Sequence, residues 1–264
     1  MIHLNYLSAV RISGPDAGSF LQSQLSADIG ALEAGQATFA AYCTPKGQVL
    51  GLLLVCNSGD GYFLVASSVL LAGIVQRLKI FVMRSKVEWD DSIELMVMGI
   101  PASAEAPPGS SLFTPGTLPL TYAIDLSMPC SSDHAETWKS EELRLGVAWL
   151  DASTTEKFIP QMLGEDHIGA LSFSKGCYPG QEIVARARYL GKVKRKPLIV
   201  TAKGQVQLEN MSKLEIHYPD ESVSGTLIDS AENEAGDTVL FIVTNLQEGQ
   251  QPVSITCEGK IFEL

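Results

Sequence analysis

The sequence lacks the features that mark several well-known chemical classes. It contains no CxxC pair and no cysteine–histidine group with zinc spacing, and its five cysteines lie far apart, so a structural zinc site is not indicated. It also contains neither a G-x-x-x-x-G-K-[ST] phosphate loop nor a G-x-G-x-x-G dinucleotide fingerprint. These absences argue against a phosphate-loop nucleotidase and against a Rossmann-type dehydrogenase.

Long apolar runs are also missing. The longest, such as GLLLVC at 51–56, are the size of a strand and far below the roughly 18 residues of a membrane span. The first residues, MIHLNYLSAVRISG, have neither the basic start nor the apolar stretch of a signal peptide. Single, scattered cysteines are typical of reduced thiols. We therefore expect a soluble, cytoplasmic protein with no membrane partner and no bound metal.

Basic residues are scarce. Lys plus Arg number 19 against 30 Asp plus Glu, so the formal charge is −11. Because duplex binding depends on many phosphate contacts from Lys and Arg, this balance argues against duplex DNA or RNA as a direct partner. It leaves room for a local basic patch that binds a small anion. With 45% apolar residues over 264 positions, the chain has enough material for a core that needs no disulfide.

Hydrophobic periodicity predicts an α+β fold, because helices and strands alternate without a regular βαβ rhythm. An antiparallel meander is expected near the amino terminus, with its turn at Thr44-Pro45-Lys46-Gly47. A proline-rich linker is expected at about 101–119, between two subdomains of a 1–196 region. Short β-rich runs in 197–264 predict a small all-β sandwich or barrel.

The individual elements expected in 1–145 are three helices and several strands. The helices are expected over about 15–26, from Ser67 or Ser68 to about Met83, and up to about Leu145, the last one opened by an Asp133–Glu136 capping box. The strands are expected at 38–42, 49–56, 62–66, 86–89, 93–99 and 120–126.

One segment carries a pattern with chemical meaning, K-G-C-Y-P-G-Q-E at 175–182. Pro179 is suited to begin a helix through QEIVARARYL that Gly191 would end. Cys177 would then precede a helix amino terminus, where backbone N–H groups and the dipole favour a thiolate, and Lys175 would add a positive charge. The alternative is an inert buried thiol, which is a common state of free cysteine.

This octapeptide closely resembles the K-G-C-[YF]-x-G-Q-E signature of the YgfZ-type folate-binding proteins, which are relatives of the aminomethyltransferase (T protein) of glycine cleavage. The resemblance extends over most of the chain. It includes GPDAGSFLQSQLSADI, AAYCTPKGQVLGLLLV, the R-S-K-V segment that ends at Val87, and F-I-P-Q at 158–161. Residues 197–264 match the family only loosely.

The resemblance implies an aminomethyltransferase-like region of antiparallel sheets and helices around a central channel, followed by a small carboxy-terminal β-barrel. It implies a bound folate, such as tetrahydrofolate or a derivative. It also implies a role in maintaining iron–sulfur enzymes, including a tRNA methylthiotransferase as protein partner. The signature cysteine, here Cys177 with Lys175 beside it, is the family's most suspected functional residue.

The same resemblance suggests where a folate would bind. Trp138, eight residues before Gly146, occupies the position of a pterin-contacting tryptophan, although by residue type alone a core tryptophan is the simpler interpretation. A second family tryptophan is replaced near Leu7, with Tyr6 beside it. The acidic partner of the pterin stays unassigned, because Arg144 stands where the family often has Glu, and Glu141 and Glu142 lie one turn earlier. The further expected folate contacts are Tyr178, Gln181, Glu182, Arg186 and Arg188.

Six positive charges follow one another closely after the signature, with no acid between them. They are Arg186, Arg188, Lys192, Lys194, Arg195 and Lys196. The run suits a folate polyglutamate, an RNA phosphate or an acidic protein surface, or is simply a solvated helix face. Single-stranded RNA is the weaker choice, because only Tyr189 is interleaved as a stacking aromatic.

Three function classes stay open at this point. A folate-binding assembly factor for iron–sulfur enzymes is preferred, and a monomer is expected. A folate-dependent aminomethyl transferase is the alternative, although the T protein has no cysteine at the position of Cys177. A cysteine hydrolase would need His167 and a carboxylate in contact with the thiol, and spacing alone does not show that contact.

Overall fold

The computed structural model describes residues 1–102, 104, 111–116, 118–125, 131–189, 191, 193–246 and 249–264, with the backbone alone described at 91–94 and 125. The helices are α1 (Ala17–Gln24), α2 (Ser68–Ile80), α3 (Ala135–Arg144) and α4 (Gln181–Tyr189), with 3₁₀ turns at Ile29–Ala31 and Pro160–Met162. The strands are β1 (Ile2–His3), β2 (Leu7–Ser13), β3 (Ala37–Cys43), β4 (Val49–Asn57), β5 (Tyr62–Ser67), β6 (Glu88–Gly99), β7 (Ser111–Phe113), β8 (Tyr122–Asp125), β9 (Arg195–Ala202), β10 (Lys213–His217), β11 (Ser222–Glu232), β12 (Thr238–Asn245), β13 (Ser254–Cys257) and β14 (Lys260–Glu263). The α+β class predicted from periodicity is confirmed.

The first sheet is antiparallel and has eight strands within the described residues. Its order is β3-β4-β5-β2-β6-β8-β7, and β1 pairs with the end of β6. The meander β3–β4–β5 is confirmed, because short turns join strands that pair with each other. The 12-residue β6 is long enough to pair with β2 along its first part and with β8 along its second.

Helices α1 and α2 cover one face of this sheet. Phe20 and Leu21 of α1 and Leu71 and Leu78 of α2 enter one apolar core with alternate residues of β2, β4 and β5. The opposite residues of the same strands enter a second core, which contains Trp138 of α3. Both faces of the sheet are therefore buried, which explains why β4 is apolar almost throughout.

In the part of the chain that the structure describes, the second sheet has six antiparallel strands in the order β14-β13-β10-β11-β12-β9. The Lys203 N–H, just after β9, donates a hydrogen bond of 2.9 Å to the Glu263 carbonyl in β14, which joins the two edges of the sheet. The sheet therefore curls around its own apolar core, which includes Leu214, Ile216 and Ile242. The small all-β carboxy-terminal unit predicted from sequence is confirmed.

Helix α3 lies between the two sheets. Leu143 shares a core with Val49 of β4 and with Val239 and Phe241 of β12. On the same helix, the Lys139 ammonium lies 2.7 Å from the Asp229 carboxylate of β11, and both side chains are largely buried. Burial disfavours the charge of Lys139, but Asp229 holds the lysine pKa above its ordinary value. The pair thus fixes α3 to the second sheet.

Several sequence predictions need correction. The two strands expected at 86–89 and 93–99 are one continuous strand, because β2 and β8 pair with successive parts of it. The Asp133–Glu136 capping box is wrong, since His134 is the N-cap and no side chain caps the helix. Helix α4 begins at Gln181 rather than at Pro179. Cys130, Lys192, Leu126 and much of the expected 101–119 linker lie outside the described residues.

The Lys139–Asp229 pair generates a stability prediction. Lys139→Met should lower the free energy of unfolding by about 3–5 kcal/mol, because it leaves a buried carboxylate unpaired. The matched control is Lys203→Met, which removes an exposed ion pair to Glu263 and should have little effect. Urea denaturation followed by circular dichroism measures both. Equal destabilisation by the two variants would contradict a structural role for the buried pair.

Candidate functional site

The signature loop 175–180 is held by contact with the β3–β4 turn. Gly180 has a φ of +83°, and a Cβ there would lie 2.5 Å from the Thr44 carbonyl oxygen and 2.7 Å from the Gly47 Cα. Gly47 has a φ of +73°, and a Cβ there would lie 2.9 Å from Ile183. Both positions therefore require glycine for conformation and for space. Two segments that the sequence keeps far apart, Pro-Lys-Gly and Pro-Gly-Gln-Glu, form one packed unit.

Lys175 anchors the start of this loop to the end of α1. Its ammonium donates hydrogen bonds of 2.5, 2.7 and 2.8 Å to the carbonyl oxygens of Gln22, Leu25 and Ala27. These carbonyls follow or end the helix, where acceptors lack partners within the helix. Burial lowers the pKa of Lys175 to about 8, while Asp28 opposes that shift. The sequence did not indicate this anchoring role, and the electrostatic influence of Lys175 on Cys177 stays a prediction.

Cys177 is exposed, whereas Cys43, Cys56 and Cys257 are buried. The alternative interpretation of Cys177 as a buried thiol is therefore wrong. Tyr178 turns the other way, is 6% exposed, and lies with its ring centroid 5.5 Å from the Lys175 ammonium. The loop thus exposes the Cys177 thiol to solvent, while contacts with the protein interior fix the backbone of the loop.

A buried acid lies near the Cys43 thiol of β3. Glu165 is 2% exposed, and within the described residues neither of its carboxylate oxygens accepts a hydrogen bond. Burial, together with the charge of Asp166, raises the pKa of Glu165 to about 8. Burial is the main cause that raises the pKa of the Cys43 thiol, and the nearby Glu165 raises it further. This part of the core therefore favours uncharged groups.

Helix α4 is fixed on the same core by the F-I-P-Q segment. The Gln161 side-chain amide donates a hydrogen bond of 2.7 Å to the Val184 carbonyl of α4. Gly164 in turn leaves room for Pro197, because a Cβ there would lie 2.9 Å from the proline ring. The segment upstream of the signature therefore positions both α4 and the start of β9.

A second buried centre surrounds Glu142 of α3. Its Oε1 accepts hydrogen bonds from the Tyr122 hydroxyl at 2.7 Å and the Trp138 indole at 3.3 Å. Its Oε2 accepts from the Tyr6 hydroxyl at 2.7 Å and the Trp149 indole at 3.0 Å. Burial raises the pKa of Glu142 to about 7, and the four hydrogen bonds counteract that effect. We call these five residues the Glu142 cluster.

The Glu142 cluster contains two of the residues expected to contact a pterin. Tyr6 is half-buried, whereas Trp138 is 8% exposed and its indole covers Gly99, where a Cβ would lie 2.6 Å from the ring. Leu7 is 4% exposed and belongs to the same core. Sequence reasoning considered Glu142 but assigned it no role in the folate site, and it did not identify Tyr122 or Trp149. The one available signal was the i, i+4 spacing of Trp138 and Glu142 on a single helix face.

The basic run does not act as one surface. Arg195 turns inward, donating to the Thr226 hydroxyl and the Val243 carbonyl. Arg188, Lys194 and Lys196 line a common cavity, together with His167. Gln181 and Glu182 lie in the first turn of α4, and Arg186 is exposed on it. In the described part of the chain, no hydrogen bond or ring contact joins the signature loop to the Glu142 cluster.

The described residues offer no support for a Cys–His–acid nucleophile. Neither the Cys177 thiol nor the His167 imidazole forms a hydrogen bond within them. They also contain no group of three or more His, Cys, Asp or Glu arranged to hold a metal ion. Among the described residues, no helix is long and apolar enough to cross a membrane.

Comparisons with known proteins agree with this architecture. The chain is 31% identical over 248 residues to an uncharacterized protein of Haemophilus influenzae, an alignment that covers 92% of this chain and 88% of that protein. It is 29% identical to the tRNA-modifying protein YgfZ of Vibrio atlanticus, covering 81% and 74% of the two chains. It is also 29% identical to the protein of that name from Colwellia psychrerythraea, covering 74% and 69%. No protein-family model matches the chain.

The fold resembles a solved aminomethyltransferase. The crystal structure of the glycine cleavage system aminomethyltransferase T from Bartonella henselae matches with a TM-score of 0.68, covering 99% of this chain and 82% of that one. The two sequences are 13% identical, so this likeness concerns the fold alone.

The buried acids generate a prediction about pH. Glu165 keeps its proton in the folded state up to about pH 8 but loses it near its ordinary pKa of 4.5 when unfolded. The unfolded chain therefore binds fewer protons between these values, and stability should fall as the pH rises from about 5 to 8. In Glu165→Gln this fall should be smaller by about 1 kcal/mol or more, because an amide does not titrate.

Urea denaturation at pH 5 and pH 8 measures the difference. Glu142 acts in the same direction, with a folded pKa of about 7, so part of the fall should persist in the variant. Glu182→Gln, at an exposed carboxylate, is the control and should keep the full pH dependence. An identical pH dependence in Glu165→Gln and the unaltered protein would contradict the assignment.

Proposed function

Because the chain belongs to the YgfZ family of aminomethyltransferase-like proteins, we propose that it is a folate-binding protein that supports iron–sulfur enzymes of tRNA modification. Cys177 is its reactive thiol. The observation that carries this proposal is the contrast among the four described cysteines, of which Cys177 alone is exposed. That thiol stands on a loop fixed by Lys175 and by the contact between Gly47 and Gly180. A fixed, accessible thiol is suited to exchange with a protein partner.

The residues of the Glu142 cluster have the chemistry that suits a pterin. It combines aromatic rings with a carboxylate, which accepts hydrogen bonds from N–H donors of the kind that a pterin edge carries. The carboxylate oxygens already accept four hydrogen bonds, so a pterin N–H would have to replace one of the four present donors. Tyr6 is the half-buried member of the four, and its hydroxyl is therefore the one to be displaced.

The transferase alternative has weaker support. Likeness to an aminomethyltransferase at 13% identity concerns the fold and not the reaction. No contact in the described residues favours that chemistry over a binding role. We therefore keep the assembly or repair of iron–sulfur enzymes as the proposed function.

The thiol generates the first test. In a Cys130→Ser background, iodoacetamide should label one cysteine of the native protein, Cys177, because the other three are buried. Cys177→Ala should abolish complementation of a strain that lacks such a factor while leaving the unfolding midpoint unchanged. Cys177→Ser distinguishes loss of thiol chemistry from loss of a small polar side chain. Full complementation by Cys177→Ala would refute the thiol role.

Folate binding generates the second test. Tetrahydrofolate should quench tryptophan fluorescence, and Trp138→Phe should weaken binding at least fivefold while keeping most of the packing. Trp138→Ala is less useful, because a cavity at this site would cost about 3–5 kcal/mol. Tyr6→Phe should bind as tightly as the unaltered protein or more tightly, since the competing hydroxyl is gone.

Trp89→Phe is the matched control, because Trp89 packs against Phe20 on the other face of the sheet. It should lower the total fluorescence without changing the affinity. Unaltered affinity in Trp138→Phe, or a clear loss of affinity in Tyr6→Phe, would overturn the assignment of the pterin to the Glu142 cluster. Calorimetric titration that shows no binding of any folate would overturn folate binding itself.

A further inference from the structure

The basic residues after the signature line a cavity of about 680 Å³. Its walls come from the loop after the Pro160–Met162 turn, the end of α4 and the start of β9. This volume lies within the roughly 300–1,000 Å³ of small-molecule sites. The cavity lies apart from the Glu142 cluster, with which it shares no residue.

Three cations face this cavity, Arg188, Lys194 and Lys196. Within the described residues none of them forms an ion pair with an acid. Among the described residues of the wall, Asp166 is the one acidic side chain, so positive charge predominates there. In a chain of net charge −11, such a local excess favours an anionic ligand.

The walls also contain hydrogen-bond acceptors that are not satisfied. Gln161 is 8% exposed, and its amide group donates to Val184 while its Oε1 has no partner within the described residues. The Asp166 Oδ1 is buried and likewise unpartnered there. Buried polar atoms normally have partners. Both residues line the cavity, so a ligand that combines N–H or O–H donors with negative charge suits its walls.

An aromatic pair adjoins the cavity through Arg188. The guanidinium lies 4.1 Å from the ring centroid of Phe173 and 5.9 Å from that of Tyr189, and the two rings meet edge to face at 6.1 Å. Tyr189 is 66% exposed, so one aromatic ring is available to a planar ligand group. The sequence indicated a single aromatic in the basic run, and the fold adds Phe173 to it.

We propose that this cavity binds a nucleotide unit, either a free nucleoside phosphate or a nucleotide within single-stranded RNA. Lys194 and Lys196 bind the phosphate, and the base stacks on Tyr189 beside Arg188. Gln161 and Asp166 accept hydrogen bonds from the base or the ribose hydroxyls. A polyglutamate chain would satisfy the cations but has no ring for Tyr189. The proposal is independent of folate binding at the Glu142 cluster.

The test uses the full chain and two probes. Fluorescence polarisation with a labelled short oligouridylate and calorimetry with uridine and adenosine 5′-monophosphates are performed at about 50 mM salt, where phosphate contacts are strong. The double variant Lys194→Gln/Lys196→Gln should weaken binding at least tenfold and reduce the slope of log K against log salt by about 1–2. Tyr189→Ala should weaken binding at least fivefold through loss of stacking.

The control is Lys203→Gln/Lys260→Gln, which removes equal charge from strand ends outside the cavity and should leave both affinities unchanged. If the oligonucleotide binds tightly and the mononucleotides do not, the site is assigned to RNA. If the mononucleotides bind as tightly as the oligonucleotide, the site is assigned to free nucleotides. Absence of binding by both probes at about 1 mM would overturn the proposal. The proposal would also be overturned if oligo-γ-glutamate bound and neither nucleotide probe did, or if the Lys194→Gln/Lys196→Gln and Tyr189→Ala variants bound the probes as tightly as the unaltered protein. Tetrahydrofolate affinity of the same variants should not change, which separates this outcome from failure of the folate proposal.

Discussion

The buried carboxylate of Glu142 is the interaction on which the rest of the structure depends. Four hydrogen bonds reach it, from Tyr6 before β2, Tyr122 of β8, Trp138 of α3 and Trp149 after α3. Burying a charged carboxylate is costly unless its oxygens accept hydrogen bonds, and the four aromatic side chains together supply those bonds to Glu142. The same helix is tied to the second sheet through Lys139 and Asp229. Helix α3 therefore couples the two sheets, and the proposed pterin site lies at that joint.

The signature loop depends instead on close backbone packing, which two glycines make possible. Gly47 and Gly180 come within contact distance because neither has a Cβ, and Lys175 binds carbonyls at the end of α1. Loops that carry function are commonly held by a rigid scaffold. Here the scaffold consists of a turn, a helix end and the F-I-P-Q segment, whose Gln161 binds α4. These contacts leave the Cys177 thiol facing solvent while its neighbour Tyr178 is buried.

Much of the fold could be predicted from periodicity. The meander of β3, β4 and β5, helix α2 and the all-β carboxy-terminal unit follow from local patterns, since apolar spacing decides which face of an element is buried. The errors were local too. The Asp133–Glu136 box failed because His134 is the N-cap of α3. Strand β6 was divided because its polar middle, Asp90 and Asp91, interrupts the apolar alternation. Cap positions and strand ends depend on single contacts that a pattern does not contain.

For the site, the sequence by itself determined the chemical inventory: one distinctive K-G-C-Y-P-G-Q-E segment, an adjacent run of positive charge, and Trp138 on a helix. Only the tertiary structure decided how these groups are used. It turned Arg195 into the second sheet, placed Arg188 beside Phe173, and gathered four donors around Glu142. The physical reason is that hydrogen bonding and burial depend on distances between residues remote in the chain, such as the 136 positions between Tyr6 and Glu142. Local sequence fixes the character of each residue, and the packing of distant elements fixes its partner.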